Sequence, residues 1–95
     1  MYGTIFKLKV KPGHVEDLID SMTSSPTPTG AIAFFIMNPD NQDNDLIAVA
    51  VFESKEAYIS NANRPEQHEA FLDMMTHLQE EPEWIDGKYI VGELK

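Results

Sequence analysis

Ala31-Ile32-Ala33-Phe34-Phe35-Ile36-Met37 and Leu46-Ile47-Ala48-Val49-Ala50-Val51-Phe52 are two runs almost free of polar side chains. Between them lies Asn38-Pro39-Asp40-Asn41-Gln42-Asp43-Asn44-Asp45, a block of turn formers. Two β-prone runs joined by such a block predict a hairpin. Successive side chains on a strand point to opposite faces, so a strand wet on one side alternates polar with apolar residues. Neither run alternates, and both faces of the hairpin are therefore expected to be dry. Phe34 and Phe35 are adjacent, so one faces each way. Helices can cover one face. A second copy of the chain is the simplest cover for the other.

Outward from the hairpin, the N-terminal flank alternates. Tyr2, Thr4, Phe6, Leu8 and Val10 fall on one face, with Gly3, Ile5, Lys7 and Lys9 on the other, which predicts a strand with one buried face. Lys11-Pro12-Gly13 ends it. Val15, Leu18, Ile19 and Met22 recur at helical spacing, with Glu16, Asp17 and Asp20 on the wet side. Ser24 to Gly30 breaks this helix. After the hairpin, Ser54 is placed to cap a short helix over residues 55–59. Pro65 opens a second, longer helix striped by Phe71, Met74, Met75 and Leu78. Glu80-Glu81-Pro82 stops it. Asp86-Gly87 predicts a bend, and Tyr89-Ile90-Val91 a last strand. The order β-α-β-β-α-β predicts one ferredoxin-like α+β domain over residues 1–95, with a four-stranded antiparallel sheet and helices on one face. The other face keeps about half of the hairpin's apolar side chains, a patch suited to face-to-face pairing in a homodimer.

Composition narrows the function classes. The formal net charge is −9. The basic residues are few and scattered, which argues against nucleic acid and anionic membrane surfaces as partners. No apolar run approaches the length of a membrane span. Cysteine is absent, which removes thiol nucleophiles and thiolate metal sites. A cytoplasmic protein is the default expectation. Asp40, Asp43 and Asp45 do not follow a calcium-loop pattern, since Asp45 and Val51 stand where Gly and Glu are needed. No ligand spacing predicts a metal: His68 and His77 lie half a helical rotation apart, and His14 belongs to another helix.

Several local phrases carry a resemblance. Lys11-Pro12-Gly13-His14, Phe52-Glu53-Ser54-Lys55-Glu56-Ala57-Tyr58 and Arg64-Pro65-Glu66-Gln67-His68-Glu69-Ala70-Phe71 resemble segments of the antibiotic biosynthesis monooxygenase domain family, across roughly residues 2 to 93. The resemblance implies a dimeric α+β barrel. It also implies an activity among cofactor-free oxygenases of phenols and quinols, haem-degrading enzymes or isomerases. Haem-degrading relatives carry Asn, Trp and His where Phe6, Asn61 and Phe71 stand here, so the resemblance does not extend to haem degradation. Quinol-oxidising relatives have a His ending the short helix and a Pro-His pair opening the long one. Asn61 takes the first place, and Gln67 or His68 the second.

The expected site follows. His68 is the candidate general base toward a phenol, its ordinary pKa lying near ~6.5. Asn61 is placed to orient a substrate carbonyl or dioxygen. Phe6, Phe35, Phe71, Met75 and Trp84 are candidates to line an apolar pocket for a small aromatic molecule. No metal, flavin or other cofactor is expected if the substrate itself supplies the electron. A non-catalytic dimer holding a small hydrophobic ligand, or a protein partner, is the alternative reading of the same residues.

Overall fold

The computed structural model describes residues 1–40 and 45–95. Asn41, Gln42, Asp43 and Asn44, the middle of the block of turn formers, lie outside the described residues. The elements are β1 (Tyr2–Lys9), α1 (Val15–Thr23), β2 (Ala31–Met37), β3 (Asp45–Phe52), α2 (Lys55–Ala62), α3 (Pro65–Met75) and β4 (Glu83–Lys88). The strands form one antiparallel sheet in the order β2-β3-β1-β4. Each outer strand reaches its place by a crossover, which is the ferredoxin-like arrangement.

The register fixes which side chains share a face, because directly opposed antiparallel residues point the same way. Ile36, Ala48, Phe6 and Trp84 form one row across the sheet on the helix side. Beneath the helices lie the buried residues Phe6, Leu8, Val10, Leu18, Leu46, Ala48, Met74 and Leu78, with Val15, Met22, Phe71 and Met75 packed around them. The Ser21 hydroxyl donates to the Asp73 carboxylate and joins α1 to α3. Ser54 caps α2, accepting from the Ala57 amide at 3.1 Å, and Pro65 opens α3. Phe34 falls on the helix side opposite Ala50, and Phe35 on the other side opposite Val49.

The face away from the helices carries the row Phe35, Val49, Ile5, Ile85. Phe35 is 55% exposed and Ile85 65%. Both faces of the hairpin are apolar; among the described residues the helices cover the inner part of one, with Phe34 at its edge still 44% exposed, and leave the other open.

Two details differ from the sequence reading. The last strand is Glu83–Lys88 rather than Tyr89 to Leu94. Asp86-Gly87 does not bend the chain there: Gly87 sits opposite Gly3, and pairing with β1 overrides the local turn signal. Tyr89 follows the strand, and its ring edge lies 3.2 Å from the point a Gly3 Cβ would take. Its hydroxyl is within donating distance of the carbonyls of Thr4 (3.2 Å) and Ala50 (3.1 Å). The long helix also stops at Met75, so Leu78 enters the core from a bridge to Val10 rather than from a helical stripe.

Candidate functional site

Trp84 is the focus of the helix side. It alternates out of β4 onto that face, and β4 is an edge strand, with no strand beyond it among the described residues. The ring packs on buried Phe6 with centroids 4.4 Å apart, and Phe71 from α3 stands 6.5 Å away. Trp84 keeps 44% of its surface exposed. The three rings form an aromatic shelf open along the sheet edge, an environment suited to an offset-stacked planar ligand.

Asp86 follows Trp84 by two residues and points to the same face. The Tyr58 hydroxyl, from α2, donates to Asp86 Oδ1 at 3.0 Å. Burial pushes the Tyr58 phenol up to about 12, and the Asp86 carboxylate pushes the same way through its hydrogen bond and its charge. Tyr58 is therefore an uncharged donor at neutral pH. Its ring is held against Tyr2 and Phe52, with centroids 5.5 Å away in each case. Thr4, a buried polar residue of β1, donates to the Ile85 carbonyl at 3.2 Å.

A raised phenol pKa makes stability pH-dependent in one direction. The folded chain holds the proton more tightly than the unfolded chain. The contribution is thus complete below the ordinary phenol value near ~10 and is lost as pH rises from there through about 12. An ultraviolet titration should find one tyrosine ionising near pH 12, absent in Tyr58→Phe. In Asp86→Asn that value should fall but stay above the ordinary one, because burial remains. An unchanged titration in Asp86→Asn would remove the carboxylate from the account.

The other expected residues are distributed around this shelf. Phe6, Phe71 and Trp84 meet. Met75 packs against the core nearby, half-buried. Phe35 lies on the opposite face of the sheet. His68 is exposed in the first turn of α3, one turn before Phe71. Asn61 lies in the last turn of α2 and ties it to α3. Its Nδ2 donates to Gln67 Oε1 at 3.3 Å, and its Oδ1 accepts from Arg64 Nε at 3.0 Å. Asn61 also borders a cleft of about 370 Å³, whose walls include Glu53, Ser54, Ala57, Ser60 and Arg64. The Tyr58–Asp86 pair was not foreseen: Tyr58 reads as one more half-buried helical aromatic, and Asp86 as half of a turn.

No protein-family sequence pattern matches the chain, and no curated protein matches it. Solved structures do. A provisionally named antibiotic biosynthesis monooxygenase of Nitrosomonas europaea superposes with a TM-score of 0.79 at 13% identity, covering 96% of this chain and 100% of its own. A conserved protein of Methanosarcina mazei gives 0.81 at 15% identity, covering 92% of this chain and 90% of its own. A provisionally named antibiotic biosynthesis monooxygenase of Chloroflexus aurantiacus gives 0.74 at 17%, with 96% of each chain covered. Likeness at these identities shows a shared fold over nearly the whole chain.

Proposed function

We propose that the protein is a cofactor-independent monooxygenase of the antibiotic biosynthesis monooxygenase family, acting as a homodimer on a small phenolic or quinol substrate. The observation that carries this reading is the open aromatic shelf of Phe6, Trp84 and Phe71 on the helix side of a fold shared with proteins bearing that name. The uncovered row of Phe35, Val49, Ile5 and Ile85 supports the dimer. Two copies pressed sheet to sheet would bury it and leave each shelf free. Trp84 stacks the substrate ring. His68, one turn from Phe71, takes the phenolic proton. The electron-rich anion then passes an electron to dioxygen, and the two radicals join as a carbon–oxygen bond. Loss of water from the resulting hydroperoxide leaves the quinone, so that phenol and dioxygen balance quinone and water. Tyr58, whose one hydroxyl proton is given to Asp86, acts by holding that carboxylate in place on the face that carries Trp84. Asn61 acts by positioning, since both ends of its amide are engaged with Arg64 and Gln67.

Dioxygen uptake by metal-stripped protein with a panel of hydroquinones and polyphenols tests this. Uptake above the autoxidation background is expected. It should disappear in Trp84→Ala and fall about 100-fold or more in His68→Ala, the lower end of what a general base contributes. Unchanged rates in His68→Ala would transfer the proton to Asp86. Background uptake across the panel, with a small apolar molecule still retained by the protein, would overturn the oxygenase reading. It would favour a non-catalytic ligand-holding dimer, a reading supported by the exposure of His68 and the engaged amide of Asn61.

A further inference from the structure

The fold brings together two histidines that lie 63 residues apart in the chain. His14 precedes α1 and His77 follows α3, and their Nδ1 atoms face one another at 3.1 Å. The ring centroids are 5.4 Å apart. Both side chains are half-buried, which places His77 against the β1–α1 turn rather than in open water.

The backbone fixes this approach from both sides. The Lys11 amide donates to the His77 carbonyl at 2.9 Å, and the His14 amide donates to the Lys11 carbonyl at 3.0 Å. Lys11 Nζ is turned onto the Thr76 carbonyl at 3.0 Å. Backbone bonds among Lys11, His14 and His77 thus hold the two imidazole-bearing residues side by side, with the Lys11–Thr76 bond beside them.

We propose that His14 and His77 form a two-histidine site for a borderline divalent ion of the zinc, nickel or copper class. Imidazole nitrogen suits these ions. Zinc binds histidine at about 2.0–2.1 Å, which puts two nitrogens on one tetrahedral ion about 3.3–3.4 Å apart. The observed separation is within a few tenths of an ångström of that value, so a slight opening of the pair admits the ion. Without metal, one proton shared between the facing nitrogens satisfies both. With metal, the ring that held that proton changes tautomer and carries it on Nε2 instead, so that both rings stay neutral and both Nδ1 lone pairs become ligands. No cluster of three or more metal-ligating side chains occurs among the described residues. Water therefore completes the coordination, and the ion stays open to an exogenous ligand. The net charge of −9 favours a cation approaching the molecule. Bound there, the ion braces the end of α3 against the turn that opens α1.

Zinc chloride titrated into tag-free protein, followed by calorimetry and by imidazole NMR, tests the site. One ion per chain is expected, with the His14 and His77 ring signals moving together and the His68 signals staying still. Affinity should fall in His14→Ala and in His77→Ala by more than the about tenfold that loss of an outer-sphere partner already costs a metal site. Zinc should also raise the thermal midpoint of the wild type and not that of either variant. His77→Asn keeps a hydrogen-bonding group at the turn and should fold normally yet lose the zinc response. Still His14 and His77 signals at saturating zinc, or an unchanged affinity in both alanine variants, would overturn the assignment.

Discussion

Gly3→Ala is expected to cost about 3 kcal/mol or more, at the upper end of what overpacking costs, and to lower the thermal midpoint by roughly 12–24 °C. A Cβ built on Gly3 lies 1.9 Å from the Ala50 carbonyl oxygen and 2.9 Å from its carbon. Those are backbone atoms of β3, the strand paired with β1 through the middle of the sheet. They cannot retreat as a side chain would, so relief means opening the β1–β3 pairing, and Tyr89, whose ring edge lies 3.2 Å from the same point, must give way as well. Total stability for such a domain is about 5–15 kcal/mol, so the loss is a large share of it. Thermal and denaturant unfolding of Gly3→Ala beside Tyr89→Ala measures it. A Gly3→Ala midpoint within two or three degrees of wild type would mean that the two strands do not approach as closely as described.

Ile5→Asp is expected to abolish dimer formation while leaving the monomer folded. Ile5 is central in the row Phe35, Val49, Ile5, Ile85 and points away from the buried core. The substitution therefore places a charge on the proposed contact without touching Phe6 or Leu8 beneath the helices. Leaving a charge unpaired in an interface costs about 2–5 kcal/mol, and two-fold symmetry applies the cost twice. The dissociation constant should rise by about 1,000-fold or more. Native-like circular dichroism with a halved mass is the expected signature. A variant that remained dimeric would move the contact to another surface.

The hairpin made most of the fold legible. Two unbroken apolar runs around a turn block specify paired strands with two dry faces, and the helical stripe at Val15, Leu18, Ile19 and Met22 supplies cover for one. The opposite destinations of Phe34 and Phe35 follow from strand geometry alone. The end of the chain was harder to read, because Asp86-Gly87 is a strong local turn signal. Its strand conformation depends on Gly3, more than eighty residues away, and on the space the two glycines leave. Long-range pairing of this kind has no local trace.

The candidate site was legible in part for the same reason. Periodicity and resemblance brought forward Phe6, Phe71 and Trp84, which the register then placed side by side. Phe35 shares their residue type and lies across the sheet from them. The Tyr58–Asp86 hydrogen bond and the meeting of His14 with His77 join segments far apart in the chain. Spacing rules find ligands and acid–base partners that share an element, and these pairs do not. His68, placed by position in its helix, was found where the helix puts it, in the opening turn of α3.

The account depends most on the claim that the uncovered sheet face is closed by a second copy of the chain. Sedimentation equilibrium of the wild-type protein at micromolar concentration tests that directly. A mass of twice the 10.7 kDa chain, falling to a single chain in Ile5→Asp, is the predicted result. A wild-type mass of 10.7 kDa across the accessible concentration range would contradict it, and would leave Phe35 and Ile85 as a surface for some other partner.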